Sequence, residues 1–284
     1  MPELPEVEVL VRHLRLLLPN RTIRAVRVHR PKVVVPTSIR LFVQTLRGAK
    51  FCSVARRGKY LLFSLRGAKG AGPVRLVGHL GMTGRMYLLP ARAPLPRHAA
   101  VVLDLGRERF VYEDARYFGR LTLDGSAVAK LGPEPLGAEF TVDRFTEALR
   151  RSGQAIKVKL LDQKLVAGVG NIYAGEALFR AAIAPTQPAR SLSGAQIKRL
   201  WRAIRQTLRY SIAYGSTVPR SYAGNGARDG LFYFGRAPGV PEFYEERLLV
   251  YDRAGQPCVK CGAAIRRSVQ AARSTYYCPR CQRG

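Results

Sequence analysis

The residues with the clearest chemical potential stand at the start of the chain, where Pro2 is followed by Glu3 and Glu6. If the initiator Met1 is removed, Pro2 carries a free secondary amine. Because the reference pKa of an α-amino group is about 8, roughly a tenth of that amine is an uncharged nucleophile at neutral pH. A secondary amine that attacks a sugar aldehyde carbon forms an iminium, which is an electron sink for elimination. An ordinary helix start also explains these residues, since proline near N1 and acids in the first turn are common.

Four of the five cysteines have the spacing of a metal site. Cys258 and Cys261 form one Cys-x-x-Cys pair, and Cys278 and Cys281 form another after sixteen intervening residues. This pattern predicts one tetrahedral zinc ion, and such four-thiolate sites are structural because no position stays open for substrate. Two disulfides or a redox pair are the alternatives. A cytosolic chain disfavours disulfides, and no thioredoxin-like βαβ context supports a redox pair. We expect Cys52 to be a small buried residue rather than a ligand.

The charge balance points to a polyanionic partner. The chain of 284 residues has 48 Lys and Arg against 19 Asp and Glu, a net charge of +29. An excess on this scale predicts nucleic-acid binding, and a merely solvated basic surface is the alternative. No run of about 18 apolar residues predicts a membrane span, and the acidic N-terminus lacks a signal-peptide core. A cytoplasmic location without membrane attachment is therefore expected.

The elements that must position these residues change in character along the chain. Apolar residues at helical spacing predict an amphipathic helix over 6–18, and short alternating runs from about 22 to 125 predict a β-sandwich. Gly132–Gly137 has the composition of a linker, and helical periodicity follows it. The helices are predicted at Val142–Arg151, Ile156–Leu165, Ile172–Ala182 and Ser193–Tyr214, the last with a Ser193/Gln196 capping box. The expected fold is multi-domain α+β, with a C-terminal zinc-ribbon hairpin.

Four internal motifs add candidate binding residues. Lys157 precedes a turn at Gly168–Asn171 that suits phosphate, because the next helix begins there with free N–H groups. Arg56–Tyr60 is a basic turn before a strand. The loops Gly78–Gly84 and Asp114–Gly119 carry exposed-looking apolar and Arg side chains between glycines. Ordinary turns, and core positions for the apolar residues, are the alternative explanations of these motifs.

In their order along the chain, these segments resemble the formamidopyrimidine-DNA glycosylases, base-excision enzymes that remove oxidised purines. The resemblance covers the N-terminal string, the internal motifs and the zinc spacing. It implies a helix-two-turn-helix domain that grips the DNA backbone, and loops that fill the space of a base flipped out of the stack. The residues that it assigns to DNA binding are Lys59, Met82, Arg116, Phe118, Lys157 and Asn171, and the basic, polar tip of the zinc hairpin adds Arg273.

The same resemblance implies a mechanism and a domain organisation. Pro2 attacks the deoxyribose C1′ and displaces the damaged base, Glu3 transfers protons, and Glu6 helps to hold the amine and the opened sugar. Lys59 contacts phosphate near the lesion and belongs to the same catalytic group. The Schiff base then supports β- and δ-elimination, which is AP lyase activity. The expected domains are a catalytic β-sandwich, a helix-two-turn-helix domain, a lesion-recognition loop and a zinc hairpin, at residues 1–131, 132–215, 216–247 and 248–284.

Two features depart from the family pattern. Tyr117 stands where the family often has a second basic residue. In the lesion-recognition loop 216–247, Pro219 has no N–H to offer a base, and the loop has extra aromatic residues. The preferred base therefore stays open. The alternatives are an oxidised-pyrimidine glycosylase of the same fold and a non-catalytic damaged-DNA-binding protein. We expect a monomer that binds damaged double-stranded DNA and one structural Zn2+.

Overall fold

A computed structural model describes residues 2–68, 71–215 and 248–283. They form two compact units, one that runs to residue 130 and one that combines residues 131–214 with residues 248–283. The predicted lesion-recognition loop 216–247, with Pro219, lies outside the described residues, as does Met1. Among the helices in the described part of the chain, none combines the length and apolarity that crossing a bilayer requires.

The described residues of the first unit form two antiparallel four-stranded sheets. Their strand orders are β1-β6-β7-β5 and β2-β3-β4-β8. The strands are β1 Ala25–Val28, β2 Lys50–Arg57, β3 Tyr60–Arg66, β4 Pro73–His79, β5 Arg85–Pro90, β6 Ala99–Asp104, β7 Glu108–Glu113 and β8 Arg120–Thr122. The helices of this unit are α1 Leu4–Leu17, α2 Ile39–Leu46 and α3 Ser126–Ala129.

One apolar core joins the two sheets and helix α1. Phe63 of β3 lies with its ring centroid 6.0 Å from Phe51 of β2 and 5.7 Å from Phe110 of β7, which belongs to the other sheet. The apolar face of α1, which includes Val7 and Leu10, is buried in the same core. Helix α1 packs against β2 and β3, so the start of the chain is fixed to the strands that flank Lys59.

Two details of this unit differ from the expectations. Helix α2 lies inside the stretch predicted as short strands; its N-cap Ser38 accepts a hydrogen bond from the Leu41 N–H at 3.2 Å. Its buried residues Phe42 and Leu46 are four apart, which is helical spacing. The expectation of a buried Cys52 is wrong: this residue is exposed, at a bulge of strand β2.

The described residues of the second unit include four α-helices and the hairpin that carries the cysteines. They are α4 Val142–Arg150, α5 Ile156–Leu160, α6 Asn171–Ala181 and α7 Gly194–Gly215, with strands β9 Arg266–Gln270 and β10 Arg273–Tyr277. Helix α5 is shorter than predicted, because Asp162 turns the chain by accepting the Lys164 N–H at 2.9 Å. The predicted capping box of α7 is present, with Ser193 and Gln196 hydrogen-bonded in both directions. The α+β fold class is thereby confirmed.

Candidate active site, nucleic-acid interface and metal centre

The N-terminal residues form a compact buried group at the start of α1. Glu3 is the N-cap of the helix, and its backbone N–H donates to Glu6 Oε2 at 2.8 Å. Pro2, Glu3 and Glu6 are all buried. Both carboxylates belong to the first turn of the helix, where a capping box joins them. The structure therefore brings a potential amine nucleophile and two acids together in one helical turn.

Lys59 is buried in the tight turn between β2 and β3. This turn is tied to helix α1, because Arg56 donates to Glu8 at 2.8 Å and to the Gly58 carbonyl at 3.1 Å. Burial acts to raise the pKa of Glu8, but hydrogen bonds from Arg56 and Arg12 outweigh it and lower that pKa. Glu8 thus stays ionised and links the Lys59 turn to the helix that begins after Pro2.

His79, at the end of strand β4, lies in the same electropositive neighbourhood. Burial lowers the pKa of His79 to about 4, and the positive charges of Lys59 and Arg120 act in the same direction. Its ring packs against Tyr60 with the centroids 4.7 Å apart. Nδ1 accepts the Gly81 N–H at 3.2 Å, so the neutral ring carries its proton on Nε2. His79 is therefore a neutral acceptor that orients the loop after β4.

The loops with Met82 and with Arg116 and Phe118 lie against each other. Met82 is 42% exposed and Phe118 is 51% exposed, although both are large apolar side chains. The Arg116 guanidinium lies over the Phe118 ring at 5.0 Å. A side chain at Gly81 would come within 2.5 Å of the Gly119 nitrogen, so the two backbones touch. These residues are not core residues, and their exposure fits the predicted role of filling an emptied base position.

Tyr117, the departure from the family pattern, has a basic partner of its own. Its hydroxyl accepts a hydrogen bond from Arg30 Nε at 3.0 Å, and the guanidinium lies 5.2 Å from the ring centroid. Tyr117 also has a positive φ of 53°, a conformation that is uncommon outside glycine and Asn. Arg30 therefore both steadies this backbone turn and places a positive charge beside the loop.

In the second unit, Lys157 and Asn171 meet on the hairpin. Lys157 is almost fully buried, and its Nζ donates to the Ser274 carbonyl at 2.9 Å and to Thr275 Oγ1 at 2.6 Å. Asn171 Nδ2 donates to the same Ser274 carbonyl at 3.0 Å. The neighbouring Arg273 is exposed at the start of β10. This anchoring gives Lys157 a positioning role, whereas its predicted contact with phosphate stays a prediction.

A buried acid that the sequence analysis missed lies on helix α6. Glu176 accepts the backbone N–H groups of Leu249, Val250 and Tyr251 at 2.8, 2.9 and 3.0 Å. Burial raises the pKa of Glu176, although these three donors act in the opposite direction. The signal in the sequence is an acid at a mainly apolar stretch of a predicted helix, where a buried carboxylate needs several donors.

The four predicted cysteines converge on one point. Their sulfur atoms all lie within 4.8 Å of one another. The Cys258–Cys281 and Cys261–Cys278 pairs are 3.8 and 3.5 Å apart. Zn–S bonds of about 2.3 Å in a tetrahedron require sulfurs separated by about 3.8 Å, so this donor set fits one zinc ion. The Lys260 N–H donates to Cys258 Sγ at 3.4 Å, which supports a thiolate there.

Comparison with known proteins covers nearly the whole chain. Three family models match: the formamidopyrimidine-DNA glycosylase N-terminal domain at residues 1–121, its H2TH domain at residues 131–222, and the zinc finger found in FPG and IleRS at residues 255–284. The formamidopyrimidine-DNA glycosylase of Symbiobacterium thermophilum is 42% identical, over 99% of this chain and 89% of its own length. The chain belongs to the formamidopyrimidine-DNA glycosylase family.

Solved structures support the same assignment. The Fpg protein (MutM) of Lactococcus lactis, in a crystal complex with DNA that contains N7-benzyl-Fapy-dG, matches 100% of both chains with a TM-score of 0.85 and 33% identity. Its complex with DNA that contains an oxidised pyrimidine matches 100% of both chains, with a TM-score of 0.85 and 32% identity. As a member of this family, the chain is a bifunctional DNA glycosylase and AP lyase of base excision repair, with a structural zinc finger.

Proposed function

We propose that Pro2, after removal of Met1, is the nucleophile of this glycosylase and lyase. The observation that supports this most directly is the group at the start of α1, where two buried carboxylates, Glu3 and Glu6, follow Pro2 within one turn. Glu6 accepts the Glu3 N–H and so holds the backbone that positions Pro2. Glu3 is then the acid that transfers protons.

The proposed reaction runs in two stages. The neutral Pro2 nitrogen bonds to C1′ and loses its proton, while the N-glycosidic bond breaks and its electron pair leaves with the base, which takes up a proton. The sugar ring opens with a proton from Glu3 on the ring oxygen, and a positively charged iminium results. Loss of a C2′ proton breaks the C3′–O bond, a second elimination breaks the C5′–O bond, and water then releases Pro2. Lys59 supports these steps by binding the phosphate beside the reacting sugar.

We propose a division of labour among the DNA-binding residues. In the first unit, Lys59 binds phosphate, while Met82, Arg116 and Phe118 occupy the space that the extruded base leaves. In the second unit, Asn171 and Arg273 contact the backbone. Lys157 acts from behind by holding the Ser274 carbonyl beside Arg273, a role that its burial and its two hairpin hydrogen bonds support.

The substrate and the organisation are also proposals. Formamidopyrimidines and 8-oxoguanine in duplex DNA are the first candidates, from the name of the family and the Fapy-dG derivative in one similar complex. An oxidised pyrimidine is the second, from the other complex. We further propose a cytoplasmic monomer with the domains 1–131, 132–215, 216–247 and 248–284.

Borohydride trapping tests the mechanism. The protein, shown by intact mass to lack Met1, is incubated with duplexes that contain 8-oxoguanine, a formamidopyrimidine or an oxidised pyrimidine, and with an abasic duplex. We expect a covalent adduct that Pro2→Gly abolishes while DNA binding persists. Pro5→Ala, a change of the second proline of the same helix start, is the matched control and should keep the adduct.

Each result decides a specific point. The duplex that gives adduct fastest identifies the preferred base class. An adduct that survives Pro2→Gly would assign the nucleophile to another amine. The absence of adduct on every duplex, from protein with an unblocked Pro2, would favour the non-catalytic damaged-DNA-binding alternative.

A further inference from the structure

Asp114 is a fully buried carboxylate at the point where the two exposed loops meet. Oδ1 accepts the Thr83 hydroxyl at 2.6 Å and the Arg116 N–H at 3.1 Å. Oδ2 accepts the Gly119 N–H at 2.9 Å, and the buried Tyr112 hydroxyl lies 3.4 Å away. Within residues 2–68, 71–215 and 248–283, no ion pair involves Asp114. Its oxygens therefore accept hydrogen bonds from neutral donors of both loops.

One of these bonds, from Thr83, connects residues that are distant in the sequence. Thr83 directly follows Met82, and the other two donors, Arg116 and Gly119, flank Phe118. The Asp114–Thr83 hydrogen bond spans 31 residues and is the side-chain link between the loops. Close packing reinforces it, because a side chain at Gly119 would come within 2.0 Å of the Tyr112 hydroxyl. The tips of the two loops are exposed, but the segments below the tips are hydrogen-bonded to each other and closely packed.

A preformed pair of loops has a definite advantage for inserting side chains into DNA. Separating two stacked bases costs a few kcal/mol for each step. Loops that were mobile beforehand would add the entropy cost of ordering their backbone and side chains. A buried carboxylate that fixes both loops in the free protein removes that second cost.

We propose that Asp114 is a positioning residue that holds the Met82 loop and the Arg116–Phe118 loop as one rigid wedge for the emptied base position. The proposal rests on the proposed function, because it requires that these loops enter the DNA. The competing explanation is that Asp114 only stabilises the β-sandwich. In that case, removing its hydrogen bonds should lower stability and reduce every activity equally.

Thr83 separates the two explanations. Thr83→Val removes the hydroxyl at nearly constant shape, whereas Thr83→Ser keeps the donor to Asp114. Two reactions are measured under single-turnover conditions: excision of the damaged base that gives the fastest adduct in duplex DNA, and nicking of a single strand with a preformed abasic site. The second reaction needs no wedge, because no base is extruded and no partner base is orphaned.

We expect Thr83→Val to slow excision roughly tenfold to hundredfold, as a misplacement of about 1 Å does. Nicking of the abasic single strand should stay within about twofold, and Thr83→Ser should restore excision. A 2-aminopurine beside the lesion should show slower unstacking with Thr83→Val. Asp114→Asn should be slower still, with Asp124→Asn, a partly exposed acid of the same unit that lies outside both loops, as its control. If Asp114→Asn does not fold, the comparison of Thr83→Val with Thr83→Ser still tests the proposal.

Several outcomes would overturn the proposal. One is that Thr83→Val excises the base at the wild-type rate. Another is that Thr83→Val slows excision and nicking equally, and a third is that Thr83→Ser excises as slowly as Thr83→Val. Met82→Ala serves as the reference: if it excises normally, the loops are not a wedge and Asp114 has nothing to position. A wild-type protein that is inactive in both reactions would instead reject the proposed function itself.

Discussion

Asp114 in the first unit and Glu176 in the second are buried carboxylates that solve the same problem differently. Asp114 lies in a loop, where it accepts two backbone N–H groups of that loop, and the Thr83 hydroxyl of a second loop donates to it. Glu176 lies on a regular helix and takes three consecutive N–H groups of residues 249–251. Both are held by hydrogen bonds from neutral groups in a chain with 48 basic residues.

The difference lies in what else stabilises each segment. Val250, held by Glu176, belongs to an apolar cluster with Cys258, Cys278 and Phe179, so the metal centre and the helix both constrain it. The loops around Asp114 have exposed apolar tips, and their order comes from hydrogen bonds and two close glycines. The second unit should therefore depend on zinc, and the loops of the first unit on the hydrogen bonds around one carboxylate.

Removal of zinc should produce the largest effect, and it should destabilise the second unit while leaving the stability of the first unchanged. Structural zinc binding in small fingers is worth on the order of 10 kcal/mol, because the folded thiolate site exists only with the ion. We expect chelation to unprotect the amides of β9 and β10 and those of residues 249–251. Hydrogen exchange resolved by peptide measures this directly.

The first unit supplies the internal control for that experiment. The Arg116 and Gly119 amides bonded to Asp114 should exchange at unchanged rates after chelation, and Cys258→Ser should reproduce the pattern. An equal loss of protection in both units would show that the zinc centre stabilises the whole chain, and the contrast drawn between the two carboxylates would fail.

The second effect concerns pH and the first unit alone. The pKa of His79 is about 4 in the folded protein, below its unfolded value of about 6.5. The unfolded chain therefore binds more protons between these values, and stability falls as the pH drops from about 6.5 to about 4. The loss should be on the order of 3 kcal/mol, measured by exchange of the core amides of β6 and β7.

His79→Gln isolates this contribution. Glutamine does not titrate, and its side-chain oxygen can still accept the Gly81 N–H that His79 Nδ1 accepts. Cysteine ligands also titrate in acid, so the informative quantity is the difference in pH dependence between wild type and variant. Parallel curves from pH 6.5 to pH 4.5 would mean that His79 is not protonated on unfolding in this range.

The third effect tests the helix-borne carboxylate. In Glu176→Gln, one oxygen can still accept the Val250 and Tyr251 N–H groups, but the new amide NH2 would face the Leu249 N–H. An unsatisfied buried donor costs about 1–3 kcal/mol, so residues 249–251 should lose that much exchange protection. Glu147→Gln on the exposed face of α4 is the matched control. An equal loss of exchange protection in both variants would show that the Glu176 carboxylate does not hold residues 249–251.

The sequence predicted those parts of the molecule whose physics is local. Helical periodicity and the Ser193/Gln196 pair located α7, and Cys-x-x-Cys spacing located the metal centre. Helix α2 was missed because β-branched Ile39, Val43 and Thr45 resemble strand residues, whereas burial of its Phe42 decides the helix.

Long-range features were beyond reach for the opposite reason. Pairing of β1 with β6, and of β4 with β8, joins strands far apart in sequence, and no local pattern encodes the register. Asp114 stood within a recognised motif, yet its role arises from Thr83, 31 residues away. The phosphate contact of Lys157 came from the family resemblance and stays a prediction, whereas nothing near Lys157 in the sequence predicts its hydrogen bond to the hairpin 117 residues later.

The smallest expected effect concerns the hydrogen bond between Arg30 and Tyr117, which is exposed, unlike those of the two buried carboxylates. Arg30 bonds the Tyr117 hydroxyl and covers its ring on the outside of the same loop that Asp114 holds from within. Tyr117→Phe removes the hydrogen bond but keeps the ring, so unfolding should change by about 0.5–1 kcal/mol and excision by no more than about twofold. At an exposed site, water replaces the hydrogen bond that is lost. We therefore expect Tyr117→Phe to slow excision much less than Asp114→Asn, because only Asp114 is buried. Comparable losses of excision in the two variants would show that the loop is held from outside as much as from within.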